Sequence, residues 1–197
     1  MVLVRKATEA DFEWLVECSN KDWVINDYSG TFKDWLKSFG VADEDMDKCY
    51  NFAWFKKYIY PKAPQDLYIV NNGQRDIGFF CQDLDETNSI IGGTVFIHPR
   101  SCKMSILKAI KAICIRACLI QDEFDACEVN TWAPLIVSTA QSVVPCLKES
   151  MITDQYRILY GETRNFPSKE DIIRKYNITD IDADKCFVFD EVRRHGA

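Results

Sequence analysis

The segment from Ser89 to Leu119 constrains the fold more than any other part of the sequence. It begins with an apolar run, Ser89 to His98, which predicts a buried β-strand. A five-residue polar turn at 101–105 follows, and apolar residues then recur at helical spacing in a helix predicted from about Ser105 to Leu119. A helix that begins directly behind a strand presents free backbone N–H groups and the positive end of its dipole, which together favour an anion. The segment therefore predicts a strand, a turn and a helix suited to a phosphate, although the turn contains no glycine to wrap around it.

The rest of the sequence predicts further helices and strands around this unit. Asn72-Gly73 indicates a hairpin, Ser168 followed by Asp171 indicates a helix start, and Pro145 is expected to kink or shorten its helix. Strands are predicted at 2–6, 66–71, 75–82, 89–98, 126–132, 151–160 and 186–192, and helices at 8–20, 31–40, 43–58, 105–119, 135–147 and 168–176. This order predicts an α+β fold of mixed α/β layers, in which helices cover both faces of a mainly antiparallel central sheet.

Length and charge narrow the class of protein. The 197 residues are most simply one domain. The formal net charge of −6 argues against a nucleic-acid partner, which usually requires a clustered basic face. No apolar run approaches the roughly 18 residues of a membrane span, and the first residues lack the apolar centre of a signal peptide. We therefore expect a protein without membrane or nucleic-acid partners, located in the cytoplasm or in an assembly built there.

The nine cysteines have irregular spacing and contain no CxxC pair. Most lie among apolar residues, where a reduced cysteine acts as a small hydrophobic side chain. Cys114 and Cys118 are one helical turn apart, but neither histidine is nearby in sequence, so no metal site is predicted. Cys102 precedes the helix beside Lys103, and is either a thiol acidified by the helix N-terminus or a solvent-facing turn residue.

The N-terminal residues resemble those of a known family. Val4 to Phe12 reads V-R-K-A-T-E-A-D-F, which is similar to the opening strand and the R-x-A-T-x-x-D helix start of the GCN5-related N-acetyltransferase (GNAT) family. The resemblance continues through the strands and the helix described above to about Tyr160. It implies one GNAT-like domain at 1–197, with a helical insertion at 42–62 and a non-standard C-terminal extension at 163–197.

The resemblance also implies a cofactor site. In the family, the turn after the fourth strand reads R/Q-x-x-G-x-G/A, and its amides hold the pyrophosphate of coenzyme A. Arg100 matches this pattern, whereas Lys103 and Ser105 replace the glycines. The Lys103 side chain either occupies the phosphate's place or pairs with it, and Ser105 is a good helix cap. The implied ligands of acetyl-CoA are Ile97, Arg100, Ser101, Cys102, Lys103, Met104 and Ser105; a different phosphate-bearing ligand held by Arg100 and Lys103 is a further possibility.

Three residues are candidates for the catalytic chemistry. Glu128 on the fifth strand is either a base that acts through water or a solvent-facing residue. His98 at the end of the fourth strand binds substrate, relays a proton, or caps the strand edge. The family often places a general-acid tyrosine on the helix after the fifth strand, and this helix contains none. Ser138 is the candidate replacement, with Ser142 and Cys146 as alternatives, although each is more simply a surface or core residue.

The sequence thus supports two functions. The first is a GNAT-like enzyme that transfers an acetyl group from acetyl-CoA to an amine substrate. The second is a catalytically silent GNAT-fold protein that binds a protein partner or joins an assembly. Short-tailed phages encode virion and assembly proteins that look like degenerate members of this fold, and the chain is similar to them in its turn, its missing tyrosine and its insertion. This likeness of fold does not by itself establish a function.

Overall fold

The structure, a computed structural model, describes residues 1–18, 67–97, 103–131, 134–152, 157–182 and 186–190. The strands in these residues form one nine-stranded sheet in the order β6-β7-β5-β4-β3-β2-β1-β9-β8. They are β1 (Val2–Lys6), β2 (Leu67–Asn71), β3 (Asp76–Asp85), β4 (Ile90–Ile97), β5 (Ala126–Thr131), β6 (Lys148–Ile152), β7 (Arg157–Glu162), β8 (Thr179–Asp182) and β9 (Cys186–Phe189). The helices of the same residues are α1 (Phe12–Cys18), α2 (Lys103–Leu119), α3 (Pro134–Val143) and α4 (Lys169–Tyr176).

The sheet is mainly antiparallel, and the predicted α+β architecture is confirmed. In the described residues every strand pair is antiparallel except β4 with β5, which is parallel. None of the helices described is long and apolar enough to cross a membrane. The parallel pair requires a crossover connection, and α2 provides it.

One face of the sheet packs against α2, α3 and α4. The core on this face includes Phe80 of β3, Ile115 of α2, Ala140 of α3, Ile172 of α4 and Phe187 of β9, all of which are fully buried. Because one continuous apolar cluster joins strands from both halves of the sheet, these helices are held in one arrangement relative to the strands.

A buried arginine connects α2 to the centre of the sheet. The guanidinium of Arg116 donates to Gln82 Oε1 at 2.8 Å and to the Tyr68 hydroxyl at 2.6 Å, and it lies 4.1 Å from the centre of the Tyr68 ring. Tyr68 in turn stacks on Phe80 at a centroid distance of 5.3 Å. Gln82 donates to the Ile113 carbonyl at 3.2 Å, so the register of α2 on β2 and β3 is set by specific hydrogen bonds.

The opposite face of the sheet is also buried in its centre. Leu67, Ile69 and Phe79 alternate with residues of the α2 face and are fully buried. The short helix α1 packs against β3, and its Leu15 is fully buried outside the core cluster under α2. Helices therefore cover both faces, as predicted.

The predicted helix start after β1 is confirmed. A 3-10 turn at Glu9–Asp11 leads into α1. The Asp11 carboxylate accepts from the Thr8 backbone N–H at 2.8 Å and from the Thr8 hydroxyl at 2.9 Å. It also accepts two hydrogen bonds from the Arg5 guanidinium, at 2.8 and 2.9 Å, and this pairing lowers the Asp11 pKa to about 2. The pair joins β1 to the first helical turn.

The hairpin between β2 and β3 is likewise confirmed, with the loop at 72–75. Asn72 donates its backbone N–H to the Arg75 carbonyl at 3.0 Å, and Gly73 has a φ of 90°, which suits glycine. The strand that follows extends to Asp85, three residues beyond the prediction, because β4 pairs with it along its whole end. The connection to the next strand, predicted at 83–88, is correspondingly shorter.

The helix-end signals also agree with the structure. The Ser168 hydroxyl caps α4 by accepting from the Asp171 N–H at 3.1 Å. Helix α3 ends at Val143, two residues before Pro145, as expected of a residue that disfavours helix before itself.

One strand prediction was wrong, and one strand was not predicted. The strand predicted at 151–160 is instead the hairpin of β6 and β7, which pair with each other. β8 was not predicted, because its four residues become a strand only by pairing with β9. The helices predicted at 31–40 and 43–58, and the insertion at 42–62, lie outside the described residues. Within 163–197 the described residues supply α4, β8 and β9, and β9 pairs with β1; the domain assignment stays a prediction.

Candidate functional site

The parallel strands β4 and β5 pair only at their first residues. Ile90 lies opposite Ala126 and Ile91 opposite Cys127, and no further pair joins the two strands. Beyond this point β4 continues on β3, and β5 continues on β7. We call the diverging residues, 92–97 of β4 and 128–131 of β5, the fork. The backbone N–H and C=O groups on its inner edges lack a strand partner within the described residues, and buried groups of this kind require one.

Two adjacent glycines in β4 mark the two faces of the fork. At Gly93, an added Cβ would lie 2.8 Å from Ile113 Cδ1 and would overlap the Cys81 carbonyl oxygen, so α2 packs directly on this position. At Gly92, the nearest atom of the described residues would be the Glu128 carbonyl oxygen at 3.9 Å. Within the part of the chain that the structure describes, the face of the fork that points away from α2 therefore has room for a small group beside Gly92.

Glu128 lies at the branch of the fork, on the face that points away from α2. Its neighbour Cys127 packs into the core under α2 beside Ala117 and Phe124, so alternation directs Glu128 to the opposite side, the side of Gly92. The residue is half-buried. Its carboxylate makes no hydrogen bond or ion pair to the residues that the structure describes. A half-buried carboxylate that accepts from no donor in the described residues is suited to an external cationic or proton-donating group.

A tyrosine and a lysine continue this side of the sheet. Tyr160 of β7 lies directly opposite Glu128, and Lys148 of β6 lies directly opposite Tyr160. Directly opposite residues share a face, with Cβ atoms about 5 Å apart. We call Glu128, Tyr160 and Lys148 the cross-strand row. Sequence reasoning missed Tyr160 and Lys148, because their placement beside Glu128 depends on strand register.

The cofactor-loop residues are placed only in part. Ile97 is the last residue of β4. Lys103, Met104 and Ser105 form the first turn of α2, which begins two residues earlier than predicted. Ser105 is therefore not a cap: it lies inside the helix and is buried, while Met104 is exposed. Backbone N–H groups of a first helical turn have no partner within the helix. His98, Arg100, Ser101 and Cys102 lie outside the described residues.

The hydroxyl groups of α3 bond to their own helix. Ser138 is exposed and donates to the Leu135 carbonyl at 3.1 Å, and Ser142 donates to the Thr139 carbonyl at 2.6 Å. Helix α3 packs on the face opposite to the Glu128 side chain. The structure therefore does not place Ser138 in the cross-strand row.

The buried cysteines are free thiols in apolar surroundings, as predicted. Burial raises the pKa of Cys118 and of Cys127 to about 12, and it raises the pKa of Cys114 well above its usual value. Within the residues described, no group of three or more histidine, cysteine or acidic side chains is arranged to hold a metal ion. These thiols act as core side chains.

Comparison with known proteins identifies the fold. No protein-family sequence model matches the chain, and no curated protein matches it by sequence. The apo structure of FdhC, a nucleotide-linked sugar GNAT, superposes with a TM-score of 0.56 at 13% identity, covering 88% of this chain and 92% of that one. Mutant forms of the spermidine/spermine N-acetyltransferase SpeG from Vibrio cholerae superpose with a TM-score of 0.53 at 12% identity, covering 89% of this chain and 99% of theirs. A chimera of SpeG from Vibrio cholerae and hSSAT superposes with a TM-score of 0.54 at 11% identity, covering 82% of this chain and 96% of the chimera.

The chain therefore has the GNAT fold, and the resemblance drawn from its sequence is confirmed at that level. The likeness at these identities concerns architecture alone.

Proposed function

We propose that this protein is an N-acetyltransferase that transfers the acetyl group of acetyl-CoA to an amine, with Glu128 as the base. The observation that carries the proposal is the half-buried Glu128 carboxylate, without a hydrogen-bond partner in the described residues, at the branch of the β4–β5 fork. The GNAT fold of the chain supports it.

The fork fits coenzyme A chemically. The arm of coenzyme A carries amide groups, and the inner edges of β4 and β5 offer backbone donors and acceptors that an extended amide chain can satisfy. The first turn of α2, Lys103 to Ser105, offers N–H groups to its phosphates. In the proposal Ile97 and the matching loop residues Arg100, Ser101 and Cys102 complete this site.

Acetyl-CoA, when bound, supplies an acetyl thioester, from which the acetyl carbon bonds to the amine nitrogen while the carbon–sulfur bond breaks and coenzyme A leaves as the thiol. In this proposal, residues of the chain accept and donate the protons that the reaction transfers. Glu128 takes the proton that the amine loses, directly or through one water. His98 is proposed to bind the acceptor or relay that proton, and Ser138 to donate toward the leaving sulfur; both stay predictions.

The competing function is a catalytically silent GNAT-fold protein with a protein partner, such as a component of a phage particle. Lys103 at a position that is glycine in the family pattern, and a helix α3 without tyrosine, are the features in its favour. The binding of acetyl-CoA is a measurable property in which the two functions differ.

Calorimetry with acetyl-CoA on the wild-type protein and on Lys103→Gly tests the proposal. We expect micromolar binding by the wild type, and we expect Glu128→Gln to retain it. In a thiol-release assay with a panel of primary amines, Glu128→Gln should lower kcat by about 100-fold or more. Glu123→Gln, which changes an exposed carboxylate in the turn before β5, is the matched control and should leave kcat unchanged. If neither the wild type nor Lys103→Gly gives a heat of acetyl-CoA binding, the proposed enzyme is ruled out and the catalytically silent protein is favoured.

A further inference from the structure

The cross-strand row has a defined order of charge. It runs from the carboxylate of Glu128 at the fork, across the phenol of Tyr160, to the ammonium of Lys148 at the edge of the sheet. Adjacent strands are about 4.8 Å apart, so the two charged residues are separated by about 10 Å along the sheet. The row therefore presents a negative end at the fork and a positive end away from it.

Neither charged end is neutralised within the described residues. Glu128 and Lys148 make no hydrogen bond or ion pair there, and neither does the half-buried Tyr160 hydroxyl. The neighbouring carboxylate, Glu149, lies opposite Leu159, whose side chain packs into the core under α2. Glu149 therefore faces the other side of the sheet and does not offset Lys148 on the side of the row.

We propose that the acceptor bound by this row is a dipolar molecule, with an amine at Glu128 and a carboxylate or phosphate at Lys148. The ring of Tyr160 lies under the chain that joins the two groups. The inference deepens the proposed function, since it names the substrate class of the same site. A dication of polyamine type meets a like charge at Lys148, whereas a dipolar acceptor meets an opposite charge at both ends.

Three acceptors of equal chain length test this inference: 6-aminohexanoate, hexylamine and 1,6-diaminohexane. Their affinities are measured by NMR titration without acetyl-CoA, so that the readout does not depend on transfer. The wild type should bind 6-aminohexanoate about fivefold or more tightly than the diamine, with hexylamine between them, since the one charge contact at the exposed Lys148 changes from attractive to repulsive. Lys148→Gln should abolish the preference, and Lys148→Glu should reverse it.

Lys169→Gln, which removes a lysine on α4 with an ion pair to Asp122, is the matched control and should leave the preference unchanged. Equal or tighter binding of the diamine by the wild type would overturn the inference, as would a preference that survives in Lys148→Glu, or no binding of any of the three. If the wild type prefers 6-aminohexanoate but transfers no acetyl group to it, the dipolar ligand is supported and the proposed enzyme is not. Failure of the inference and failure of the proposed function are therefore distinguishable.

Discussion

Ile91 and Cys127 are the last residues that join β4 to β5, and both side chains pack into one apolar cluster with Ala117, Ile120 and Phe124. The branch of the fork thus lies over a packed core. Because packed cores resist deformation, the separation of the two strands is a fixed property of the fold. Glu128 follows Cys127 directly and takes its position from that core.

The two glycines of the fork should differ sharply in their tolerance of alanine. Gly93→Ala should lower the free energy of unfolding by about 2 kcal/mol, because its methyl group overlaps the Cys81 carbonyl and lies 2.8 Å from Ile113 Cδ1. Gly92→Ala is the matched control and should change it by under about 0.5 kcal/mol. Urea unfolding of both variants measures the difference. Equal midpoints would contradict the close packing of α2 on β4.

Arg116 should not be replaceable by lysine. The ammonium of a lysine at position 116 cannot donate to both Gln82 Oε1 and the Tyr68 hydroxyl in the planar geometry of the guanidinium, so we expect Arg116→Lys to lose about 2 kcal/mol in unfolding free energy. Tyr68→Phe removes only one of these hydrogen bonds and should cost about 1 kcal/mol. Arg164→Lys, at an exposed position, should be neutral. A neutral Arg116→Lys would show that the buried guanidinium contributes nothing specific.

Asp11 should contribute stability that disappears in acid. Its pKa is about 2 in the folded protein against about 3.8 in the unfolded chain, so the folded state favours the ionised form. The contribution is present above about pH 4 and is lost as the pH falls through 2. Solvent screening at the partly exposed Arg5 limits it to about 1 kcal/mol.

Asp11→Asn should therefore be less stable than the wild type at pH 7, and the difference should shrink toward pH 2. The midpoints of urea unfolding of both proteins at pH 7, 4 and 2.5 measure this difference in stability. Asp122→Asn removes an exposed ion pair with Lys169 and should change the midpoint little at any pH. A constant difference between wild type and Asp11→Asn across this range would rule out the assigned ionisation.

Alkylation should distinguish the buried thiols from a more accessible one. Cys114, Cys118 and Cys127 are buried and have raised pKa values, so they should remain unmodified by iodoacetamide in the native state. Cys186 of β9 is half-buried and should react before these three. Peptide mass spectrometry locates the modified residues, and all four should react in urea. Native labelling of Cys118 at the rate of Cys186 would disprove the packing of α2 on β5.

Local signals predicted the helices better than the strands. Ser168 and Asp171 predicted the start of α4, and Pro145 the shortening of α3, because capping and the restriction before proline act within a few residues. The start of α2 at Lys103 was missed by two residues, since no capping residue marks it. The hairpin of β6 and β7 was read as one strand because 153–156 contains neither glycine nor proline.

The candidate site was predictable only where a single residue type carries the chemistry. Glu128 stands out in sequence as an acidic residue within an apolar strand. Its neighbours Tyr160 and Lys148 come from two other strands, and only the pairing of β5, β7 and β6 places them beside it. Ser138 was predicted from its sequence position in the helix after β5. A sequence position alone does not show on which face of the sheet that helix packs.

β1 lies between β2 and β9, although β1 precedes and β9 follows every other strand described. A nascent chain emerging from the ribosome consequently carries β1 without its β9 partner along one edge until β9 has been synthesised. Contacts of such large sequence separation slow folding, and an open edge is a template for pairing with other chains in the meantime. The arrangement makes the interval between the synthesis of β1 and that of β9 the period in which this protein is most exposed to misassembly.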